Sequence, residues 1–168
     1  MILYHPVHDP HHAAFRMLRL LLAHPDHAIP HIALRILDFY LLFPAEIEDI
    51  QMPAALRTWK TMFRSHQNKY FSNVSKHSVF RQLAGPQVLG LRLLQSRGLI
   101  SDIAGDANPI SAHVEEIPSG LADMLRRVDD SERQLINFLA RDLGATELNG
   151  QMGLKKRTGL AEFRYDIA

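Results

Sequence analysis

The sequence predicts a mainly α-helical protein with a small β-hairpin, arranged as an N-terminal helical lobe over residues 1–73 followed by a winged-helix-like lobe over 74–168. Three observations predict it. Apolar residues recur at three- and four-residue spacing through most of the chain. Prolines and glycines fall where such stretches start and stop, and one run near residue 110 alternates apolar and polar residues with the period of a strand. At 168 residues and 46% hydrophobic content, the chain is long enough to remove about 70% of its extended surface from water. With no cysteine, disulfides and thiolate metal sites are excluded.

Asp9-Pro10 starts the first helix: the carboxylate accepts from free amides, and proline loses nothing at the first helical position. The helix is expected to run to about Ala23, with Phe15, Leu18 and Leu21 or Leu22 on one face and His12, Arg16 and Arg19 on another. Pro25 and Pro30 bracket a short polar connection. A second helix, about His31 to Leu42, is apolar almost all round and reads as the central helix of the first lobe. Phe43-Pro44 ends it, and Pro44 opens a turn through Ile47 and Ile50. Pro53 opens a third helix whose stripes separate: Leu56, Trp59 and Phe63 on one, Arg57, Lys60 and Arg64 on the next. Ser65 to Ser75 is polar and reads as a loop between lobes.

From Ser78 a short helix with Val79, Phe80 and Leu83 is expected to stop at Gly85. Pro86 then starts another through Leu94, ended by Arg97-Gly98. Two strand-like runs follow, Leu99 to Ala104 and Ile110 to Ile117, and helix, turn, helix and hairpin in this order give the winged-helix reading. Pro118 opens a helix with Leu121, Met124, Leu125 and Val128. Asp130 or Ser131 caps the next, which carries Ile136, Leu139 and Leu143 and ends at Gly144. The tail holds Lys155, Lys156 and Arg157, and an alternating Phe163, Tyr165, Ile167 reads as a final strand.

The charges are unevenly placed. From Gln51 to Ser101 there is no Asp or Glu, while Arg57, Lys60, Arg64, Lys69, Lys76, Arg81, Arg92 and Arg97 give that stretch +8; the rest of the chain is −7, which the net charge of +1 conceals. A basic centre between acidic flanks points to a polyanion, double-stranded DNA among them, or to an acidic protein surface as partner. Those eight cations are the candidate partner-binding residues.

Seven of ten histidines lie in the first thirty-one residues, with Asp9 and Asp26 among them. Imidazole and carboxylate are ligand types for Zn²⁺ or Mn²⁺, but crowding in sequence does not make ligands converge, and surface, capping and turn roles are the reading adopted. No catalytic triad, phosphate-cradling glycine loop or paired-carboxylate signature is present. The chain therefore reads as a non-enzymatic binding protein with no catalytic residue, metal or cofactor site. The longest apolar run, Ile36 to Phe43, contains Asp38 and is far shorter than the roughly 20 residues that span a bilayer. With no basic-then-apolar leader, the protein is expected to be cytoplasmic, with no membrane partner.

Two stretches carry a resemblance. One is Tyr4-His5-Pro6-Val7-His8-Asp9-Pro10 with the Arg- and Leu-rich helix Phe15 to Leu22 after it. The other is Arg35-Ile36-Leu37-Asp38-Phe39-Tyr40-Leu41-Leu42-Phe43-Pro44. The second resembles the Leu-Asp-Phe-Tyr-Leu-Leu-Phe-Pro signature of middle components of bacterial ABC-three-component systems, the group that includes Lamassu-type anti-phage defence. The resemblance implies an adaptor between an SMC-like ATPase that engages DNA and an effector that is often a nuclease. It brings no catalytic residues. Asp38, inside an apolar helix, must find a charged or hydrogen-bonded partner, so Asp38, Phe39, Tyr40, Phe43 and Pro44 are expected to shape the fold. The alternative is a free-standing winged-helix DNA-binding regulator that presents Arg92, Gln95 and Arg97 to a groove.

Overall fold

The computed structural model describes residues 6–65 and 74–162. Helix α1 (Pro10–Ala23) starts as expected: Asp9 accepts from the His11 amide at 2.7 Å and Pro10 takes the first helical position. Helix α2 (His31–Leu42) buries ten of its twelve residues, which makes it the centre of the core. A tight 3-10 turn over Pro44–Asp49 buries Ile47 and packs on α3 (Arg57–Phe63).

The largest departure from the expected elements is α4 (Lys76–Ser96), one helix of 21 residues with Pro86 inside it. Two helices broken at Gly85 were expected because an interior proline removes an amide donor and costs about 3 kcal/mol. Burial on both sides of the proline outweighs that cost: Val79, Phe80 and Leu83 before it and Gln87, Gly90, Leu91 and Leu94 after it form one continuous buried face. That face lies along α1. At the closest approach a Cβ on Gly90 would sit 2.8 Å from both the Ala14 nitrogen and the Pro10 carbonyl oxygen, so only glycine fits there without displacing backbone.

Arg97-Gly98 ends α4 as the sequence indicates. The Leu99 amide donates to the Leu94 carbonyl and the Gly98 amide to that of Gln95, with Gly98 at φ 71°. This is the Schellman arrangement, which needs a left-handed residue at that position.

The β element is small and antiparallel, but its pairing differs from a Leu99–Ala104 with Ile110–Ile117 hairpin. Strand β1 (Ala28–Pro30) pairs with β2 (Pro109–Ser111), whereas the 99–104 run contributes an isolated bridge, Ile100 to Ala112. β2 therefore sits between a segment from early in the chain and the turn that follows α4. Ile29 and Ile110, opposite one another, are both fully buried, and that shared burial fixes the register.

Helix α5 (Ser119–Arg126) follows Pro118. Helix α6 (Asp130–Asn137) is capped by Asp129, one residue earlier than expected, whose side chain accepts from the Glu132 amide at 2.8 Å. It continues as a π-helical turn over Phe138–Leu143, ended by Gly144 donating to the Leu139 carbonyl. Helix α7 (Leu154–Thr158), formed by the basic tail cluster, ends at Gly159 with φ 70°. Residues from α1, α2, α4 and 138–143 join one buried cluster. Among the described residues no helix is long and apolar enough to cross a membrane. Most of the expected loop at 65–75 and the expected strand at Phe163, Tyr165 and Ile167 lie outside the described residues.

Candidate functional site

The signature segment on α2 is built around a buried charge. Asp38 is fully buried and takes a two-pronged contact from Arg16 of α1, Nε to Oδ1 at 2.7 Å and Nη2 to Oδ2 at 3.1 Å. The Gln87 side-chain amide of α4 donates to the same carboxylate at 2.9 Å and to the Arg35 carbonyl at 3.1 Å. Arg35 returns a bond from its Nε to Gln87 Oε1 at 2.9 Å. Three helices are thus tied through one carboxylate, a bidentate geometry that rewards a single relative placement. Arg16, expected on the polar face of the first helix, turns inward for this purpose.

Phe39 meets Tyr40 edge-on, with ring centroids 5.1 Å apart, and contacts Phe43 at 5.2 Å and Phe80 at 6.1 Å. Among the described residues the buried Tyr40 hydroxyl has no hydrogen-bond partner. Burial, with the carboxylates of Glu46 and Asp49 adding to it, pushes its pKa far up, so the phenol stays neutral. Pro44 opens the turn that places those carboxylates. Asp38, Phe39, Tyr40 and Phe43 are all buried and hold the fold together.

The basic centre divides when folded. Arg57 is exposed at the start of α3, and Lys60 is half-buried, its Nζ donating to the Glu48 carbonyl at 2.9 Å. Arg64 pairs with the Glu48 carboxylate at 2.6 Å. The stripe is therefore not free of acid: Glu48 precedes the acid-free stretch in sequence, but the turn at Pro44–Asp49 folds it back against α3. Lys76 caps α7 by donating to the Thr158 carbonyl at 2.8 Å. Arg81, Arg92 and Arg97 are exposed along α4, and sixteen residues of helix put about 24 Å between the first and the last. Lys69 lies outside the described residues.

What sequence reasoning left apart is α7. Arg157 joins Arg57 and Lys60 around a recess of about 380 Å³, and Lys155 joins Arg81 and Arg35 around another of about 240 Å³ that also holds Asp106. The position of α7 is set by a backbone bond from the Gln51 amide to the Arg157 carbonyl at 3.1 Å and by Lys76 of α4, which donates to the Thr158 carbonyl at 2.8 Å. Three consecutive cations near the end of the chain say that a basic surface exists; nothing local says that it lies against residue 57.

Trp59, on the apolar stripe of α3, is half-buried and stacks on Phe138 at 5.0 Å and on Phe63 at 5.8 Å. The stripe fixes α3 to the π-helical turn while the basic residues face out. A separate apolar recess of about 650 Å³ lies between α1, α5 and α6. Arg19 at its edge is engaged by the Leu125 carbonyl at 3.1 Å and by Glu132 at 3.3 Å.

Among the described residues no group of three or more His, Cys, Asp or Glu side chains is placed to hold a metal ion. His31 is held below its ordinary pKa, by burial first and then by Arg35, with Asp106 opposing.

No curated protein and no solved structure matches the chain. A family model matches residues 2–166, nearly the whole sequence and well beyond the two stretches that carried the resemblance. The chain belongs to the ABC-three component (ABC-3C) system Middle Component 5 family and is thus a middle component of a multi-subunit system.

Proposed function

We propose that this middle component is a non-enzymatic adaptor of a Lamassu-type anti-phage defence complex in the cytoplasm, bridging an SMC-like ATPase and an effector nuclease. The observation that carries the reading is family membership over residues 2–166, because a middle component implies partner subunits. The shape of the molecule supports it. Its buried charge is used to lock α1, α2 and α4 together, a rigid body suited to transmitting position, while Arg57, Arg81, Arg92 and Arg97 stay exposed for a partner.

In this reading one exposed cationic face meets double-stranded DNA or an acidic subunit surface, and α4 with the β2 region after it serves as the winged-helix-like part. The adaptor couples by geometry: a change at the ATPase is passed to the effector only while both are held by the same body. Reconstitution tests this. The isolated chain is expected neither to hydrolyse ATP nor to cleave DNA. Removing it from the complex is expected to leave ATP turnover intact while DNA cleavage ceases to depend on that turnover. Cleavage by the purified chain alone, or coupled cleavage without it, would overturn the adaptor reading.

A further inference from the structure

We propose that the recess between α3 and α7 binds a phosphate group, held by Arg57, Lys60 and Arg157. The proposal rests on the cationic-face reading above for Arg57 and Lys60, and adds the third cation, the recess between them and the chemistry of the ligand.

Three observations point there. The lining carries three cations and Gln51 beside apolar Met52 and Met152, with no Asp or Glu among the described residues. Of the acids in the neighbouring turn, Glu48 is engaged elsewhere, its carboxylate pairing with Arg64 at 2.6 Å. Only its carbonyl meets Lys60, which leaves that ammonium two further protons to donate. Most informative is Arg157: its Nε is buried and has no hydrogen-bond partner among the described residues. Arg157 itself lines the recess, so its guanidinium has donor capacity that is not spent on an acceptor among the described residues.

The arrangement favours phosphate over a single carboxylate. Two guanidinium forks and an ammonium present more donors than two carboxylate oxygens can take, whereas a phosphate offers three or four oxygens and up to two charges. At about 380 Å³ the recess lies within the range of small-ligand sites. The site is also built in advance: the Gln51 amide donates to the Arg157 carbonyl at 3.1 Å, which ties α7 to the segment that leads into α3.

The test titrates the full chain with inorganic pyrophosphate, with acetate at matched ionic strength, and with one oligonucleotide carrying either a 5′-phosphate or a 5′-hydroxyl. Pyrophosphate is expected to bind and acetate not to. Arg57→Gln and Arg157→Gln are each expected to weaken pyrophosphate by about tenfold or more, the worth of a charge-assisted hydrogen bond, and Arg127→Gln, remote and exposed, to leave it unchanged. Arg157→Lys keeps the charge and loses the fork, so it should recover only part of the loss. Should Arg157→Gln fail to fold, exposed Arg57 still decides.

The oligonucleotides identify the source of the phosphate. Preference for the 5′-phosphate means a strand end, and equal binding of both, lost in the variants, means backbone. Binding of pyrophosphate alone means a small phosphorylated compound. Equal binding of acetate, or equal losses from Arg127→Gln, would overturn the site, since either means unfocused charge. Co-purification with the ATPase and effector reports on the adaptor reading separately, so either can fail while the other stands.

Discussion

Asp38 and the α3–α7 recess handle charge in opposite ways. Around Asp38 one carboxylate is removed from water and answered by Arg16 and Gln87. At the recess three cations share a lining that has no carboxylate among the described residues. The first arrangement is worth having only if its partners are in place, because the attraction of a buried pair barely exceeds the desolvation it requires. The second is electrostatically unfavourable in isolation and makes sense if an anion completes it. On the proposed reading, the contrast separates residues that hold the body together from residues kept ready for something outside it.

The sharpest way to break the comparison is Asp38→Ala. It strands Arg16, whose side chain is only 11% exposed, and leaves the Gln87 amide short of an acceptor. Breaking a buried pair from one side costs about 3–5 kcal/mol, and chemical denaturation should show a loss of that order with secondary structure retained in the folded fraction. If the variant is within about 1 kcal/mol of the parent, the network is not what locks α1, α2 and α4. In that case the distinction between holding and reading charges fails at its stronger end.

The second variant tests whether the body is rigid where the network says it is. Gly90→Ala adds one methyl group at the crossing of α1 and α4, where it would meet backbone atoms of Ala14 and Pro10 at 2.8 Å. Backbone cannot rotate away as a side chain can, so the helices must separate. Overpacking of this kind costs about 1–3 kcal/mol, although alanine has the better intrinsic helix propensity by about 1 kcal/mol. A lowered melting temperature is expected; an unchanged or raised one would mean that α1 and α4 slide freely past one another.

The stabilising region was far more legible in sequence than the charged surface, for physical reasons. Helices α1 and α2 are specified locally: Asp9-Pro10 and Phe43-Pro44 mark their ends, and Asp38 in an apolar helix announces a buried partner before that partner is known. That the partner is Arg16, expected on a face other than the apolar one, depends on how α1 rotates against α2. Pro86 misled because its local cost is real and only the long buried face of α4 outweighs it. β1 escaped notice because three residues ending in a proline have no readable period, and its partner is some eighty residues away. The recess was the least visible of all: Arg57, Lys60 and Arg157 are brought together by the return of the chain at Gln51 and α7, and no spacing encodes that.

The smallest expected effect on stability gives the finest separation. Arg57 and Arg64 lie on one stripe of α3 and both are exposed, but Arg64 is paired with Glu48 at 2.6 Å, while Arg57 has no ion-pair partner among the described residues and lines the recess. Exposed pairs contribute about 0–1 kcal/mol, so Arg57→Gln and Arg64→Gln should each leave the denaturation midpoint nearly unchanged. Their effects on binding should differ. Removing Arg57 takes away a cation that has no ion-pair partner among the described residues, and affinity for the proposed anionic partner should fall. Removing Arg64 frees the Glu48 carboxylate beside Lys60, so its effect should be weaker and should be largely erased by the double variant Arg64→Gln with Glu48→Gln. Parallel binding curves for the two single variants at several salt concentrations would show that position on the stripe is irrelevant. The basic centre would then act only through its total charge.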